Sequence, residues 1–262
     1  MNFSLRQMPL RSEKPRTDGL TILSDSGLSL AEADNVLSVA ASYIDMIKLS
    51  FGTGVVTPNL KEKIQFYQSN QIPVFFGGLL FEAFLVRDQL DEYLQLIDTY
   101  KISHFEVSDG AINISREQKC DYIKQFAKLG MVISEVGSKD KDRVLVTPPY
   151  KWIQIIKEEL DAGSSYVIAE AKESGTEGLY RDSGEVRQGL VEEILTQIPA
   201  EKLIWEAPQK DQQLFFIQRL GCNANLGNIN PSEVIPLEAM RLGLRSDSFD
   251  LFLDQLKEQG QR

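Results

Sequence analysis

The chain has 262 residues, of which 42% are hydrophobic and 25% charged, and its formal net charge is -10. This composition can bury a sizeable core and excludes a disordered chain. The acidic charge, with no dense run of Lys and Arg, disfavours nucleic-acid binding because phosphate backbones need a basic face. Residues 1–7 lack the apolar core of a secretory signal, and the longest apolar run, 72–86, is too interrupted to cross a bilayer. Two distant cysteines suit a reducing compartment, so we expect a cytoplasmic protein without a membrane span.

Eight short apolar segments rich in β-branched residues recur along the chain, and helical periodicity follows each of them. The chain length is close to that of a complete eight-fold barrel, and strand-then-helix alternation produces parallel sheet. We predict a single α/β domain, a (β/α)8 TIM barrel over residues 1–262, with an N-terminal extension over 1–18 and a C-terminal helix over 247–262. The predicted strands are 21–25, 44–51, 72–76, 104–108, 131–136, 166–171, 203–207 and 224–228.

Local signals mark where the helices between these strands begin and end. Ser29 with Glu32, and Ser115 with Gln118, have the spacing of capping boxes at helix N-termini. Gly163 follows a helical run and precedes a strand, where a left-handed residue would end the helix. The polar stretches 138–146 and 175–185 are the longest predicted loops and are candidates for lids.

Polar residues recur near the ends of the predicted strands, where the loops of a barrel meet at one rim and carry the chemistry. Four of them are glutamates inside apolar runs, where an ionised side chain is costly unless it meets a cation. Any one of these glutamates could instead be a solvated strand-end residue or part of a structural ion pair, but four together indicate a shared site. The lone histidine, His104, begins a strand and is expected at the opposite rim in a structural role. The polar residues are Asp25, Lys48, Glu106, Glu135, Glu170, Glu206, Asn225 and Asn228.

Eight short motifs follow one another in a fixed order between about residues 19 and 248. They are IDMIK (44–48), FGT (51–53), GGLLFE (77–82), SEVGSK (134–139), ESG (173–175), EAPQK (206–210), NLGNI (225–229) and LGLR (242–245). One of them alone would be weak, but the ordered set is specific. Together they resemble the phosphosulfolactate synthase family, whose members begin coenzyme M synthesis and have bacillar and plant heat-stress relatives.

The resemblance implies a TIM barrel, dependence on Mg²⁺, homo-oligomeric assembly, and addition of sulfite to phosphoenolpyruvate to give (2R)-phospho-3-sulfolactate. Such an attack pushes charge onto the substrate carboxylate, where a divalent cation can stabilise it. Mg²⁺ takes hard oxygen ligands, so two or three of the four glutamates are expected to hold it. The predicted metal ligands are Glu106, Glu135, Glu170 and Glu206.

Two lysines are expected to work beside these carboxylates. Lys139 matches the lysine just beyond the family's Glu-Val-Gly and is the predicted proton donor, with Glu135 in the catalytic set. Lys48 is expected to neutralise the substrate carboxylate or to assist the proton transfer. Phosphate is expected over the loops after the seventh and eighth strands, where backbone N–H groups and cations can supply donors. The predicted substrate-binding residues are Thr53, Lys172, Lys210, Asn225, Asn228 and Arg245.

Four positions depart from the family pattern and leave the second substrate open. The chain has Ser50, Gly54, Leu79 and Lys172 where the family has Gly, Ser, Thr and Arg. Lysine in place of arginine loses a bidentate fork suited to anions. Two other classes of function therefore remain: a Schiff-base aldolase or lyase that uses Lys48 on a small phosphorylated substrate, and a non-catalytic, stress-related barrel protein.

Overall fold

A computed structural model describes residues 5–137, 147–171, 176 and 178–253. Within this part of the chain, eight parallel strands form one sheet in the order β3-β2-β1-β8-β7-β6-β5-β4. The two ends of this order, β3 and β4, lie against each other, so the sheet is a near-closed barrel. The predicted (β/α)8 fold is therefore confirmed. The strands are β1 (Thr21–Asp25), β2 (Met46–Leu49), β3 (Val74–Phe76), β4 (His104–Val107), β5 (Met131–Val136), β6 (Tyr166–Ala169), β7 (Leu203–Glu206) and β8 (Leu226–Ile229).

Helices connect the strands and cover the outside of the barrel. Both predicted capping boxes are present, because Ser29 and Ser115 each accept a bond from the backbone N–H three residues on and donate their own backbone N–H to the side chain of that residue. Gly163 ends its helix in the left-handed conformation, with φ of 118°, as predicted. The helices are α1 (Leu30–Ala40), α2 (Leu60–Ser69), α3 (Gly78–Leu85), α4 (Leu90–Thr99), α5 (Arg116–Ala127), α6 (Pro149–Ala162), α7 (Gln188–Leu195), α8 (Lys210–Leu220) and α9 (Val234–Arg241).

The predicted strand bounds match β1 and β5. Five of the other predicted strands extend beyond the observed ones, and the eighth begins two residues before β8 and ends one residue before its end. Ile44 and Ile72 are buried but precede the strands that were predicted to include them. Phe51 adopts a φ of 56° within the 3-10 turns of Ser50–Val55, so β2 ends before it. The hydrophobic pattern of the sequence indicates which residues are buried. A residue can be buried without taking part in the hydrogen-bonded ladder of the sheet, so strands predicted from this pattern can be too long.

Two hydrophobic clusters lie on the two sides of the sheet, one under the helices and one inside the barrel. The inner cluster contains Met46 of β2, Ile133 of β5 and Ile204 of β7. Side chains alternate along a strand, so the residue two positions further on also faces inward and lies nearer the C-terminal rim. Those residues are Lys48, Glu135 and Glu206.

The opposite end of the barrel is covered by the N-terminal extension. Arg11 bonds the Gly19 carbonyl and pairs with Glu238 at 3.1 Å, and Tyr166 donates to the Thr17 carbonyl. His104 begins β4 at this end, as expected. No helix within the described ranges is both long and apolar enough to span a bilayer. Of the predicted C-terminal helix, residues 250–253 are helical and 254–262 lie outside the described residues.

Candidate active site

A solvent-open cavity lies at the C-terminal ends of the strands, where barrel proteins carry their functional groups. The cavity is narrow, with a volume of about 40 Å³. Its floor comes from β2, β4, β5 and β7, and its walls come from β8 and from the segments that follow β2, β3 and β6. The lining residues are Lys48, Ser50, Phe51, Gly77, Gly78, Leu79, Glu106, Glu135, Ala171, Glu206 and Asn228.

Three of the four predicted glutamates converge on Lys48. The Lys48 Nζ lies 2.9 Å from Glu106 Oε2, 3.3 Å from Glu206 Oε1 and 3.5 Å from Glu135 Oε2. Burial favours the neutral amine, but the three carboxylates outweigh burial and raise the pKa of Lys48 well above its ordinary value. Lys48 is therefore an ammonium ion in the floor of the cavity.

Glu106 is the glutamate nearest Lys48, and its side chain is almost fully buried. Its Oε1 accepts a 2.6 Å bond from the Gly78 N–H at the start of α3. Burial is the largest influence, and with the nearby Glu135 it raises the pKa of Glu106 to about 7, although Lys48 opposes the shift. Among the described residues, three carboxyl groups thus lie around one ammonium.

Glu206 is tied to the segment that follows β6. Its Oε2 accepts a 3.0 Å bond from the Ala171 N–H, and Tyr180 donates its hydroxyl to the Glu206 carbonyl. Leu179 and Tyr180 are buried, and Tyr180 pairs with Val186 in an antiparallel bridge. The described part of the 175–185 loop is therefore packed against β7, and the 138–146 loop lies outside the described residues.

Two predicted acidic residues lie away from the cavity. Asp25 faces α2, where Lys63 Nζ approaches its Oδ2 to 2.8 Å and the Tyr67 hydroxyl donates to the same oxygen at 2.9 Å. Asp25 is thus part of a structural ion pair. Glu170 is buried beside the loops after β4 and β5, since a Cβ on Gly110 would be 3.1 Å from its Oε2. The structure brings three of the four glutamates together in the cavity lining, whereas Glu170 is not part of that lining and its role as a metal ligand stays a prediction.

The predicted substrate-binding residues are dispersed. Asn228 lines the cavity, with a left-handed φ of 58°. Thr53 donates its hydroxyl at 2.8 Å to the carbonyl of Ser50, which lines the cavity. Asn225 precedes β8 at the N-terminal end of the barrel, where its amide bonds the backbone of Leu20 and Leu203. The structure therefore does not bring Asn225 together with the cavity residues.

Lys210 and Arg245 share one acidic partner outside the cavity lining. Asp247 lies 3.5 Å from Lys210 Nζ and 3.2 Å from Arg245 Nε. The Lys210 side chain is 48% exposed, so it is available to an approaching anion. The remaining two predicted residues, Lys139 and Lys172, lie outside the described residues, and their roles stay predictions.

The departures from the family pattern have local explanations where the structure describes them. Ser50 lines the cavity, and its hydroxyl lies 2.6 Å from that of Ser24. A Cβ on Gly54 would come within 3.0 Å of the Phe76 ring, so the packing of that ring favours glycine. Leu79 is part of the cavity wall.

The sequence analysis did not predict two buried charged residues, Glu82 and Lys119, that organise the rim. Glu82 of α3 accepts bonds from the Ser108 hydroxyl and from the Ala111 N–H, the latter at 2.7 Å, and so holds the loop after β4. A glutamate within the apolar run LLFEAFL was a signal of the same kind as in the strands. Lys119 of α5 is fully buried, but it stands among polar neighbours in the sequence, which gave no signal.

The glutamates fit Mg²⁺ in donor chemistry, because hard carboxylate oxygens are what this ion prefers. Their arrangement is centred on Lys48. In the part of the chain that the structure describes, no group of three or more His, Cys, Asp or Glu side chains is disposed to hold a metal ion.

The fold and the cavity define a (β/α)8-barrel protein with a lysine-centred, carboxylate-rich site at its C-terminal rim. The family model described as (2R)-phospho-3-sulfolactate synthase (ComA) matches residues 9–247. Phosphosulfolactate synthase of Bacillus subtilis (strain 168) is 39% identical over 95% of this chain and 99% of its own length. That of Methanocaldococcus jannaschii is 40% identical over 88% of this chain and 94% of its own. The chain therefore belongs to the phosphosulfolactate synthase family, as the motifs indicated, and is an enzyme of the lyase kind.

Solved structures of lower identity share the barrel. 3-Hexulose-6-phosphate synthase from Salmonella typhimurium superposes with a TM-score of 0.53 at 12% identity, over 90% of this chain and 99% of its own. 2,3-Dimethylmalate lyase, a PEP mutase/isocitrate lyase superfamily member, gives 0.52 at 12% identity, over 92% of this chain and 82% of its own. At these identities the likeness shows the fold alone.

Proposed function

We propose that this protein adds sulfite to phosphoenolpyruvate, with Mg²⁺ as cofactor, to give (2R)-phospho-3-sulfolactate. In that reaction the sulfur of sulfite bonds to the methylene carbon of phosphoenolpyruvate, and a proton is added to the carbon that carries the phosphate. Negative charge develops on the substrate carboxylate between these two events. The single observation that carries the proposal is the Lys48 ammonium surrounded by Glu106, Glu135 and Glu206 in the cavity of a family member.

Lys48 supplies the positive charge that the cavity offers to an anionic substrate. Its side chain is 12% exposed, whereas those of Glu106, Glu135 and Glu206 are 1%, 4% and 6% exposed, so the ammonium is the group that faces the cavity most. A substrate carboxylate placed against Lys48 would be held in a site that excludes most water, where a fixed charge acts more strongly than in bulk solvent.

The acidic residues have two roles in this proposal. They keep Lys48 protonated and oriented, and two of Glu106, Glu135 and Glu206 would provide oxygens to Mg²⁺. The chemistry that Mg²⁺ supplies when bound is stabilisation of negative charge on the substrate carboxylate. Lys139 remains the proposed proton donor, on the strength of its place after the Glu-Val-Gly motif.

The same electrostatics argues against the Schiff-base alternative. An imine-forming lysine must reach its neutral form to attack a carbonyl carbon, which a lowered pKa promotes. The carboxylates around Lys48 raise its pKa instead. Borohydride trapping that captured substrate on Lys48 in the presence of a chelator would reverse this conclusion.

The direct test is an assay of the purified protein with phosphoenolpyruvate, sulfite and MgCl₂, followed by ³¹P NMR. We expect a new phosphate-ester signal that depends on sulfite and is lost with chelator. Glu135→Gln and Lys48→Met should lower turnover by about 10²-fold or more while the protein remains folded. Glu117→Gln is the matched control, since Glu117 is an exposed glutamate on α5.

Failure of the wild-type protein to form product would refute the sulfite and phosphoenolpyruvate assignment. If it also failed to bind phosphoenolpyruvate or Mg²⁺ at millimolar concentration, the non-catalytic alternative would be favoured. The proposal includes a cytoplasmic location and a homo-oligomeric state, which cell fractionation and light scattering would test.

A further inference from the structure

We propose that Lys119 is a positioning residue for the synthase site, acting from outside the barrel on the main chain of Glu135. This inference rests on the proposed function for its kinetic consequence. Lys119 lies on α5, is fully buried and does not line the cavity. Its ammonium donates 2.6 Å bonds to the Glu135 carbonyl and to Asp109 Oδ1.

The bond to Glu135 replaces a missing rung of the sheet. Paired residues of β4 and β5 end at Val107 and Ser134, so β4 has no further ladder partner for the next residue of β5. Backbone carbonyls of a strand point alternately to its two neighbours. The Val136 carbonyl accepts from Glu170 on the β6 side, so the Glu135 carbonyl faces β4. Lys119 fills the position that a β4 N–H would otherwise occupy.

The same ammonium fixes the loop by which the chain leaves β4. Asp109 is in that loop, and on the other side Glu82 accepts from the Ser108 hydroxyl and the Ala111 N–H. The loop is therefore held at both ends between α3 and α5. The carboxylates of Glu106, two residues before the loop, and of Glu135 both pair with the Lys48 ammonium, so the clamp sets the spacing of the two strands that present them.

Arg116, a neighbouring arginine, provides a control that distinguishes positioning of Glu135 from a general contribution to protein stability. Glu159 of α6 lies 3.0 Å from Lys119 Nζ and 2.8 Å from Arg116 Nη2, and Arg116 also approaches Asp109 to 3.9 Å. Arg116 thus shares the acidic partners of Lys119 but makes no bond to the Glu135 carbonyl. A role limited to charge balance in this cluster would be common to both cations, whereas a role in placing Glu135 belongs to Lys119.

The experiment compares Lys119→Met with Arg116→Met in the full-length protein. Lys119→Met should lower kcat by about 100-fold, because a displacement of about 1 Å at a reacting group has that effect. The KM for phosphoenolpyruvate should stay within about twofold, since a positioning group acts on the transition state more than on uniform binding. Arg116→Met should lose thermal stability but keep kcat per folded molecule.

A second measurement, chemical labelling of Lys48, does not depend on catalytic activity. Acylation of Lys48 by an amine-reactive ester, followed by peptide mass spectrometry, reports whether its Nζ is still held by the carboxylates. Labelling should be several-fold faster in Lys119→Met than in wild type, because the charge-assisted bonds that hold Lys48 Nζ are lost. Labelling should be unchanged in Arg116→Met. If this contrast appears while wild type forms no phosphosulfolactate, the positioning role stands and the proposed function fails.

Equal effects of the two substitutions on kcat and on Lys48 labelling, or no effect of either, would overturn the proposal. If Lys119→Met does not fold, Lys119→Met with Glu159→Gln is compared with Arg116→Met with Glu159→Gln. Each of these pairs removes one cation and one anion from the cluster, and the same contrast is expected between them.

Discussion

Replacing Glu106 by glutamine should abolish part of the pH dependence of this protein's stability. Glutamine keeps the acceptor for the Gly78 N–H and the shape of the side chain, and it removes one negative charge from the ring around Lys48. Glu135 and Glu206 still pair with the ammonium. The substitution therefore isolates the cost of ionising the Glu106 carboxyl in the barrel.

That cost follows from the pKa of Glu106, which is about 7 in the folded protein against 4.5 as its ordinary value. The folded state binds this proton more tightly than the unfolded state does. Stability is therefore highest below the unfolded pKa and falls as pH rises from about 4.5 through 7. Since one pKa unit corresponds to about 1.4 kcal/mol, the full loss above pH 7 is about 3 kcal/mol.

The assay is urea unfolding followed by circular dichroism at about pH 5 and about pH 8, without divalent cations, for wild type, Glu106→Gln and the exposed control Glu117→Gln. Between these two pH values, the free energy of unfolding of wild type and of Glu117→Gln should fall by roughly 2 to 3 kcal/mol more than that of Glu106→Gln. Parallel pH dependence in Glu106→Gln and wild type would show that this carboxyl ionises normally, and the account of a crowded acidic ring would be refuted.

Three further outcomes are expected. MgCl₂ at about 100 times its dissociation constant should raise the unfolding free energy of wild type at pH 8 by about 2.7 kcal/mol, and by clearly less in Glu106→Gln; equal gains would place the ion elsewhere. Lys63→Met should destabilise the protein by about 3 to 5 kcal/mol by leaving Asp25 buried without its cation, with kcat per folded molecule unchanged; a lowered kcat would connect this pair to the site. Lys210→Ala and Arg245→Ala should each raise the KM for phosphoenolpyruvate about tenfold, as loss of a charged hydrogen bond of about 1.5 kcal/mol would; an unchanged KM would show that phosphate binds away from both.

Much of the architecture could be predicted from the sequence because it depends on short-range patterns. Alternating apolar segments predicted β1 and β5 to the residue, and the spacing of Ser29 and Glu32 predicted the cap of α1. A glutamate inside an apolar strand must meet a cation, so the sequence also indicated that Glu106 and Glu135 share a site. These inferences need only the period of a strand and the cost of a buried charge.

The tertiary structure decided which polar residues meet and at which end of the barrel. Asp25 is next to the inward-facing Ser24 and so points to α2, and β8 begins one residue after Asn225, which leaves that amide at the far end. Lys48 meets glutamates 87 and 158 residues away in the chain. Local sequence fixes the alternation of side chains but not the register between distant strands, and register determines which side chains share a level inside the barrel.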